Sequence, residues 1–301
     1  MKSAKPFLKW AGGKTQLLDD IDNNLPIEIK KNGITNYYEP FLGSAAVFLF
    51  LKQKYSIKNA YLSDINSNLI STFKIVQNQT GSLIKELKTL DKEFKSKNHE
   101  HRKIYYYKIR EEFNVLLLPG KKKGKQELIR KAALTIFLNR TCFNGLYRVN
   151  RSGQFNVPYG RYENPRLLDE ENLLAVSKTL SNVILEVRNF TTLPEIVRKG
   201  SFIYYDPPYS PLNKTSNFTS YSENEFSLKE QEELAKVYSI LDQKGIKQLL
   251  SNADLKNHNP QNDFHDNLYS KYTIKRILAS RVINRKGTKR GKISEILVKN
   301  Y

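Results

Sequence analysis

The segment from Tyr204 to Tyr209 reads Y-Y-D-P-P-Y and joins a carboxylate, two prolines and an aromatic ring. The apolar residues before it predict a buried strand, so Asp206 lies at the carboxyl end of a sheet, where open α/β folds bind their ligands. Because proline has no N–H group, the carbonyl of Pro207 is an acceptor without a competing local donor. Asp206 and Pro207 thus present two acceptors beside the ring of Tyr209, which suits the exocyclic amine of a nucleobase. The alternative interpretation is a plain loop that starts after a strand.

A second group of residues, Glu39 to Ala46, lies between a predicted strand and a predicted helix. Gly43 lets the backbone approach a ligand, and the helix that follows has free N–H groups. Asp64 ends the next predicted strand, where an acidic side chain accepts hydrogen bonds from ribose hydroxyls. The fingerprint G-x-G-x-x-G is absent, which argues against NAD and FAD and favours a ribose-bearing cofactor without pyrophosphate, commonly S-adenosyl-L-methionine. Asp64 as a helix N-cap is the alternative.

The elements that must position these residues alternate between strands and helices. Strands are predicted over residues 36–39, 60–63, 183–187, 202–205 and 247–250 and near 269–277, and helices over 15–24, 45–54 and 228–241 and from about 66. The first strand–turn–helix–strand unit is that of a Rossmann-like parallel sheet. The sequence therefore predicts an α/β fold.

A long stretch without predicted strands interrupts this sheet. Residues 69–139 have apolar positions at three- and four-residue spacing, as amphipathic helices do. A β-hairpin is predicted over Leu146 to Pro158, with Ser152 and Gly153 at its turn. The chain is thus predicted to form a discontinuous catalytic domain, residues 1–66 and 183–301, which is split by a helical, hairpin-bearing insertion over 67–182.

Charge and composition restrict the partners. Lys and Arg number 50 against 30 Asp and Glu, a net charge of +20 in 301 residues. Basic residues cluster beside glycine at 121–125 and 284–292, which favours contact with a polyanion such as nucleic acid. A Lys-rich solubilising surface is the alternative. The single cysteine, Cys142, excludes an internal disulfide framework.

Neither a membrane segment nor a metal site is predicted. The longest apolar run, Ala45 to Leu51, is far shorter than the roughly 20 residues of a membrane helix, so a soluble cytoplasmic protein is expected. The four histidines are predicted to be solvated surface residues without metal-ligand company: His99, His101, His258 and His265.

Four motifs, in this order, resemble those of the Dam-like (class α, D12 type) DNA adenine-N6 methyltransferases. They are F-L-K-W-A-G-G-K (7–14), E-P-F-L-G-S (39–44), S-D-I-N (63–66) and D-P-P-Y (206–209). The resemblance continues through residues 139–162, 217–221, 250–254 and 285–290, and therefore spans nearly the whole chain. One departure is Ser44-Ala45, where family members often carry a second glycine.

The resemblance implies an S-adenosylmethionine-dependent methyltransferase sheet with an inserted DNA-recognition domain. It assigns cofactor contacts to these residues: Trp10, Lys14, Glu39, Phe41, Gly43, Asp64 and Asp206. Trp10 would present an aromatic face to the sulfonium by cation–π contact, and Lys14 would supply a cation for the methionine carboxylate.

The implied reaction is methyl transfer to adenine N6 in double-stranded DNA. Asp206 and Pro207 would bind the two N6 hydrogens and Tyr209 would stack on the base, which must first be flipped out of the duplex. Direct in-line displacement then follows, and it needs neither a metal nor a covalent enzyme intermediate.

Residues that contact DNA are expected in the hairpin and in a basic loop. Arg148 has the fork geometry for guanine, Asn144 suits an adenine edge or a phosphate, and Leu146 and Pro158 suit a thymine methyl group. The alternative is that they merely build the hairpin. The expected target is GATC, with phosphates held by Arg285, Lys289 and Arg290. No obligate protein partner is implied.

Two rival functions stay open at this level. Related enzymes that methylate cytosine N4 usually carry Ser at the position of Asp206, and those acting on RNA adenine or a glutamine amide usually carry Asn. A non-catalytic DNA-binding module with a decayed cofactor pocket is the rival from another class. Whether the enzyme is solitary or half of a restriction–modification pair is likewise open.

Overall fold

The fold is a seven-stranded mixed sheet. The computed structural model describes residues 3–118, 120, 123–209, 226–280 and 292–301. Its strands are β1 (Asn36–Glu39), β2 (Asn59–Asp64), β3 (Val183–Val187), β4 (Ser201–Tyr205), β5 (Lys247–Ala253), β6 (Thr273–Ser280) and β7 (Lys292–Lys299). They lie in the order β3-β2-β1-β4-β5-β7-β6. The first five strands pair in parallel, whereas β7 is antiparallel to β5 and β6. The predicted α/β class is confirmed.

Strand β4 lies at the centre of this sheet, between β1 and β5. All five of its residues are buried, as the near-continuous apolar sequence of a central parallel strand predicts. The hydroxyl of Tyr204 lies 2.7 Å from Ser251 Oγ on β5, which ties the two strands together at their carboxyl ends. Because β1, β2 and β4 are parallel, Glu39, Asp64 and Asp206 emerge at the same edge of the sheet.

The described helices cover the sheet and form the inserted segment. They are α1 (Leu18–Asn23), α2 (Ile27–Lys30), α3 (Ala46–Lys54), α4 (Ser67–Asn78), α5 (Thr80–Lys95), α6 (His99–Leu117), α7 (Lys125–Thr141), α8 (Glu170–Thr179), α9 (Leu193–Ile196), α10 (Leu228–Gln243) and α11 (Phe264–Leu268). The amphipathic helices predicted over residues 69–139 correspond to α4 to α7. No helix in the described part of the chain is long and apolar enough to cross a membrane.

The inserted helices and the N-terminal segment share one hydrophobic core with the sheet. Phe7 packs edge-on against Phe73 of α4, with ring centroids 4.8 Å apart. Asn68 of α4 donates a hydrogen bond to the hydroxyl of Thr135 on α7 at 3.1 Å, and both side chains are buried. The division of the chain at residues 66 and 182 stays a prediction.

Local capping begins α4 immediately after Asp64. The side chain of Asn66 accepts a hydrogen bond from the N–H of Leu69 at 3.0 Å, so Asn66 is the N-cap. Asp64 does not take that role. Asp64 therefore lies at the carboxyl edge of the sheet, and its carboxylate accepts a hydrogen bond from the N–H of Gly43 in the loop after β1.

Three sequence-based expectations differ from the structure. The predicted hairpin turns back at Asn150 to Gly153, but an isolated bridge between Val149 and Phe155 joins its two arms in place of a ladder. The last predicted strand begins at Thr273 and not at Tyr269. Strand β7 was not predicted, since its start follows a dense basic run.

The prediction that every histidine is a solvated surface residue is wrong for His265. His99, His101 and His258 are exposed, but His265 on α11 is only 4% exposed. Burial lowers the pKa of His265 to about 4, so the ring is neutral at pH 7. Its short helix offers too few residues to show the apolar periodicity that predicts a buried face.

Candidate active site

A cavity of about 510 Å³ opens at the carboxyl edge of the sheet. This volume is in the ordinary range for a small-molecule site. Its walls come from the N-terminal loop, the loops after β1, β2, β3 and β4, and the hairpin, and they include Trp10, Lys14, Glu39, Phe41, Gly43, Asp64, Leu146, Tyr147, Asn189, Phe190, Asp206, Pro207, Tyr209 and Phe226. All the residues to which the sequence assigned cofactor or catalytic roles therefore lie around one cavity.

One side of the cavity is formed by Trp10, Gly43 and Asp64. Gly43 has a φ of +47°, and a Cβ there would lie 3.0 Å from Cδ1 of Trp10. Only glycine combines that backbone conformation with so close an approach. The N–H of Gly43 donates to Oδ2 of Asp64 at 3.3 Å, and the N–H of Asn66 donates to Oδ1 at 2.9 Å. An ionised carboxylate can accept further hydrogen bonds, so Asp64 still has acceptor capacity for a ligand hydroxyl.

The opposite side is organised by a buried ion pair. The ammonium of Lys14 lies 2.6 Å from Oδ1 of Asp206, and the lysine side chain is only 2% exposed. The same ammonium donates to the carbonyl of Gly12 at 2.9 Å and to the hydroxyl of Tyr209 at 3.1 Å. These three bonds use all three N–H groups of the lysine. The expected contact of Lys14 with a cofactor carboxylate stays a prediction, and the structure shows all three donors engaged within the protein.

The carboxylate of Asp206 is held through one of its two oxygens. Oδ1 accepts from Lys14 and, at 3.5 Å, from the hydroxyl of Ser251. Neither contact occupies Oδ2. The side chain is 22% exposed, so the carboxylate is not sealed within the protein. Pro207 is buried and Tyr209 is 37% exposed, which leaves the tyrosine ring accessible at the rim of the cavity.

Glu295 of β7 joins this cluster, and the sequence reasoning missed it. Its Oε1 accepts a hydrogen bond from the hydroxyl of Tyr209 at 2.9 Å, and its Oε2 lies 3.6 Å from the Lys14 ammonium. The side chain is 8% exposed. A lone glutamate in an unpredicted strand gives no local signal. Only the pairing of β7 beside β5 brings it to the active edge.

The pKa values of the cluster follow from burial and charge. Burial disfavours the ionised form of Asp206 and raises its pKa, and Lys14 opposes that rise. Burial alone would lower the pKa of Lys14, but Asp206, Tyr209 and Glu295 outweigh it and keep the ammonium charged. Burial raises the pKa of Glu39 to about 8, while the hydroxyl of Tyr37, which donates to Oε2 at 2.5 Å, opposes that rise.

The hairpin residues divide between the cavity and the surface. Asn144, Arg148 and Pro158 are exposed, whereas Leu146 is half-buried and lines the cavity. Nε of Arg148 donates to Oδ1 of Asn156 at 2.7 Å, which fixes the root of the guanidinium. The structure therefore brings Leu146 to the cavity wall, whereas the other three are exposed and do not line it.

Some predicted residues lie outside the described part of the chain. These are Arg285, Lys289 and Arg290 of the basic loop, together with the motif at 217–221. Within the described residues, no group of three or more His, Cys, Asp or Glu side chains is arranged to hold a metal ion.

The chain matches one family of known proteins over most of its length. The sequence model described as D12 class N6 adenine-specific DNA methyltransferase matches residues 10–283. The chain is 49% identical over 298 residues to Type II methyltransferase M.MjaIII of Methanocaldococcus jannaschii, an alignment that covers 99% of each chain. It is 37% identical over 254 residues to the DNA adenine methylase of Escherichia coli, which covers 84% of this chain and 82% of that protein.

The chain belongs to this family. It is an adenine-specific DNA methyltransferase, and membership implies DNA as the substrate and, in general, S-adenosylmethionine as the methyl donor. The resemblance found in the motifs is thereby confirmed, and so is the sheet type expected from it.

The departure at Ser44-Ala45 has a visible consequence in this methyltransferase. Ala45 adopts a left-handed conformation, with φ of 59° and ψ of 26°, immediately before α3. That conformation costs an L-residue about 1–2 kcal/mol. The turn thus keeps the backbone shape that glycine favours and accepts strain at Ala45.

We expect Gly43→Ala to disturb the wall formed by Trp10. The new Cβ would approach the indole closely in a strained backbone, so the free energy of unfolding should fall by about 1–3 kcal/mol. Urea denaturation measures this loss. Trp10 is the sole tryptophan, so its fluorescence should also shift.

Gly81→Ala provides the control, because a Cβ at Gly81 on α5 meets open space. That variant should keep the emission of the parent protein and be at least as stable, because alanine favours a helix more than glycine does. If Gly43→Ala matched it in both measurements, the close packing of Gly43 on Trp10 would be contradicted.

Proposed function

We propose that this enzyme transfers a methyl group from S-adenosylmethionine to N6 of an adenine flipped out of double-stranded DNA, within the sequence GATC. The single observation that carries the proposal is the arrangement at Asp206. One oxygen of this carboxylate is bonded by Lys14, and the group lies beside Tyr209 at the rim of a cavity whose other side has a ribose acceptor. The cavity thus has separate places for a cofactor and a base.

The cofactor side of the cavity fits S-adenosylmethionine by its chemistry. Asp64 offers a carboxylate to ribose hydroxyls, and the missing Cβ of Gly43 lets the Trp10 indole pack closely against this loop at the cavity wall. The indole face suits a sulfonium, since cations are attracted to aromatic faces. Phe41 and Phe190, with ring centroids 5.4 Å apart, add an apolar wall for a purine.

The acceptor groups address the weakness of adenine N6 as a nucleophile. Its lone pair is delocalised into the ring, and Oδ2 of Asp206 and the carbonyl of Pro207 would accept its two hydrogens and favour a pyramidal nitrogen. The cofactor, when bound, supplies a methyl group on a positively charged sulfur. Asp206 and Pro207 orient the nitrogen for in-line attack, and orientation of this kind can contribute roughly 7–11 kcal/mol. Asp206 is also the base nearest to the proton that N6 releases.

Tyr209 is proposed as the platform for the extruded base. An adenine inside a duplex is out of reach, so enzymes of this type flip the base into the active site. Stacking on an aromatic ring is worth about 1–3 kcal/mol per base. Lys14 and Glu295 both bond the Tyr209 hydroxyl, so the ring is oriented before a base arrives.

Sequence recognition is assigned to the exposed hairpin. Arg148 projects from it with Nε already bonded to Asn156, and the remaining guanidinium donors suit guanine O6 and N7. Asn144 and Pro158 are exposed as well, and Leu146 lies where hairpin and cavity meet. The segment resembles that of enzymes that methylate GATC, and this supports the proposed target. Arg285, Lys289 and Arg290 are proposed to hold phosphates.

The decisive experiment is incubation with unmethylated plasmid and methyl-labelled S-adenosylmethionine, followed by mapping of modified bases at single-base resolution. We expect label on N6 of adenine in GATC. Asp206→Asn should lower kcat by about a hundredfold or more, since it removes the charged acceptor, while duplex affinity stays near that of the parent protein.

Asp91→Asn is the matched control, because Asp91 pairs with Lys95 on α5 and is not part of the cavity lining. It should leave turnover unchanged. Label on cytosine, or unlabelled DNA after long incubation, would refute the proposed function, and label on adenine elsewhere would refute only the proposed target.

A second prediction concerns pH. Asp206 faces Lys14, Glu295, Ser251 and Glu39, and the charge of Glu295 adds to the rise of its pKa. Glu295→Gln keeps the shape and an acceptor for Tyr209 but removes that charge, so the pKa of Asp206 should fall. Asp206 then stays ionised to lower pH, and the acidic limb of the kcat profile should move to lower pH.

Glu170→Gln serves as the reference, because Glu170 is exposed and pairs with Lys88. Its profile should coincide with that of the parent enzyme. An acidic limb that is unchanged, or moves to higher pH, in Glu295→Gln would exclude the proposed electrostatic role of Glu295.

A third prediction concerns sequence discrimination. Arg148→Ala should reduce the preference for the correct base at one position of the target by about 1–3 kcal/mol, because one bidentate contact is lost. Competition between duplexes with single substitutions measures this. Arg151→Ala, at the exposed turn of the same hairpin, should preserve discrimination; equal preference in the two variants would move the readout away from Arg148.

A further inference from the structure

A tyrosine of the recognition hairpin forms part of the wall of the cofactor cavity. The ring of Tyr147 stacks on Trp10, with centroids 5.7 Å apart and an interplanar angle of 24°. On its own hairpin the same ring packs against Phe155 at 5.8 Å, and Phe155 is buried. Tyr147 therefore contacts both the core of the hairpin and the loop proposed to bind the cofactor. The residue that follows it is Arg148.

A side chain of α7, Asn139, bridges the backbones of the same two segments. The buried side chain of Asn139 accepts from the N–H of Lys9 at 2.8 Å, and donates to the carbonyls of Lys9 at 2.8 Å and Gly145 at 2.9 Å. Gly145 has a φ of +64°, and a Cβ there would lie 2.5 Å from the Lys9 side chain. The Trp10 loop and the start of the hairpin thus form one closely bonded unit.

The hydroxyl end of Tyr147 reaches a third part of the site. It faces the side chains of Asn68 and Asn66 at the start of α4, and burial raises the pKa of the tyrosine to about 12. Asn66 donates its N–H to Asp64, the proposed ribose acceptor. Tyr147, a side chain of the insertion, therefore stacks on Trp10 and also faces Asn66, the residue whose N–H bonds Asp64.

We infer that Tyr147 is a positioning residue that couples cofactor binding to DNA binding. The inference rests on the proposed function, because it takes the cavity as the cofactor site and Arg148 as a base contact. A cofactor in the cavity restrains Trp10 and Tyr147, and a duplex restrains the adjacent Arg148. Since either ligand orders the same bonded unit, the loss of freedom occurs once and the second ligand binds more tightly. Thermodynamic linkage makes the effect reciprocal.

The test measures the affinity of the full-length enzyme for S-adenosylhomocysteine, which does not react. Calorimetric titrations are made without DNA and with a saturating short duplex that carries the sequence found by base mapping. Emission from Trp10, the sole tryptophan, reports directly on the stack. We expect the duplex to tighten binding at least about fivefold in the parent enzyme. The coupling ratio is the dissociation constant for S-adenosylhomocysteine without DNA divided by that with the duplex. In Tyr147→Ala this ratio should lie within twofold of one. Tyr147→Phe, which keeps the stacked ring, should keep the ratio of the parent enzyme.

Tyr107→Ala is the matched control, because Tyr107 is a half-buried tyrosine of α6 in the same insertion that packs on Tyr106. Its coupling ratio should equal that of the parent enzyme, which separates coupling from a general loss of stability. A parent enzyme without coupling, or Tyr147→Ala with the parent ratio, would overturn this inference alone. Failure of the parent enzyme to bind S-adenosylhomocysteine would overturn the proposed function as well.

Discussion

The arrangement of side chains at the carboxyl edge of the sheet, where the cavity opens, depends on one buried ion pair, between Lys14 and Asp206. A lysine that is 2% exposed persists as a cation only if carboxylates and hydrogen-bond acceptors surround it. Asp206, Tyr209, Glu295 and the Gly12 carbonyl supply them. The pair joins the N-terminal loop to the end of β4. It therefore holds the segment proposed to bind the cofactor close to the segment proposed to bind the base.

The net charge of the chain is positive, whereas carboxyl groups are concentrated at the cavity. The whole chain carries a net charge of +20, yet the described lining of the cavity includes the carboxyl groups of Asp206, Glu39 and Asp64 as well as Lys14, whose ammonium also lies 3.6 Å from Glu295. A basic exterior attracts the phosphates of DNA from a distance. Burial raises the pKa of Asp206, Lys14 opposes that rise, and the charge of Glu295 adds to it.

Several features of the site could be read from sequence because their causes are local. The apolar run before Asp206 predicts a central strand, and Pro207 removes a competing donor whatever the rest of the chain does. Asp64 follows a strand that pairs in parallel with β1, so its position at the edge follows from the order of elements. Gly43 was expected to let the backbone approach a ligand; the structure shows Trp10 packed closely against it, and contact with a ligand stays a prediction.

Other features depended on contacts between distant segments. The sequence by itself determined the α/β class, the family and which side chains end each parallel strand, because those depend on short patterns. The tertiary structure decided that Lys14 binds Asp206 within the protein, that Glu295 reaches the site from β7, that Tyr147 stacks on Trp10, and that His265 is buried. Each of these pairs or burials joins elements far apart in the chain, and periodicity within one element carries no information about which other element will cover it.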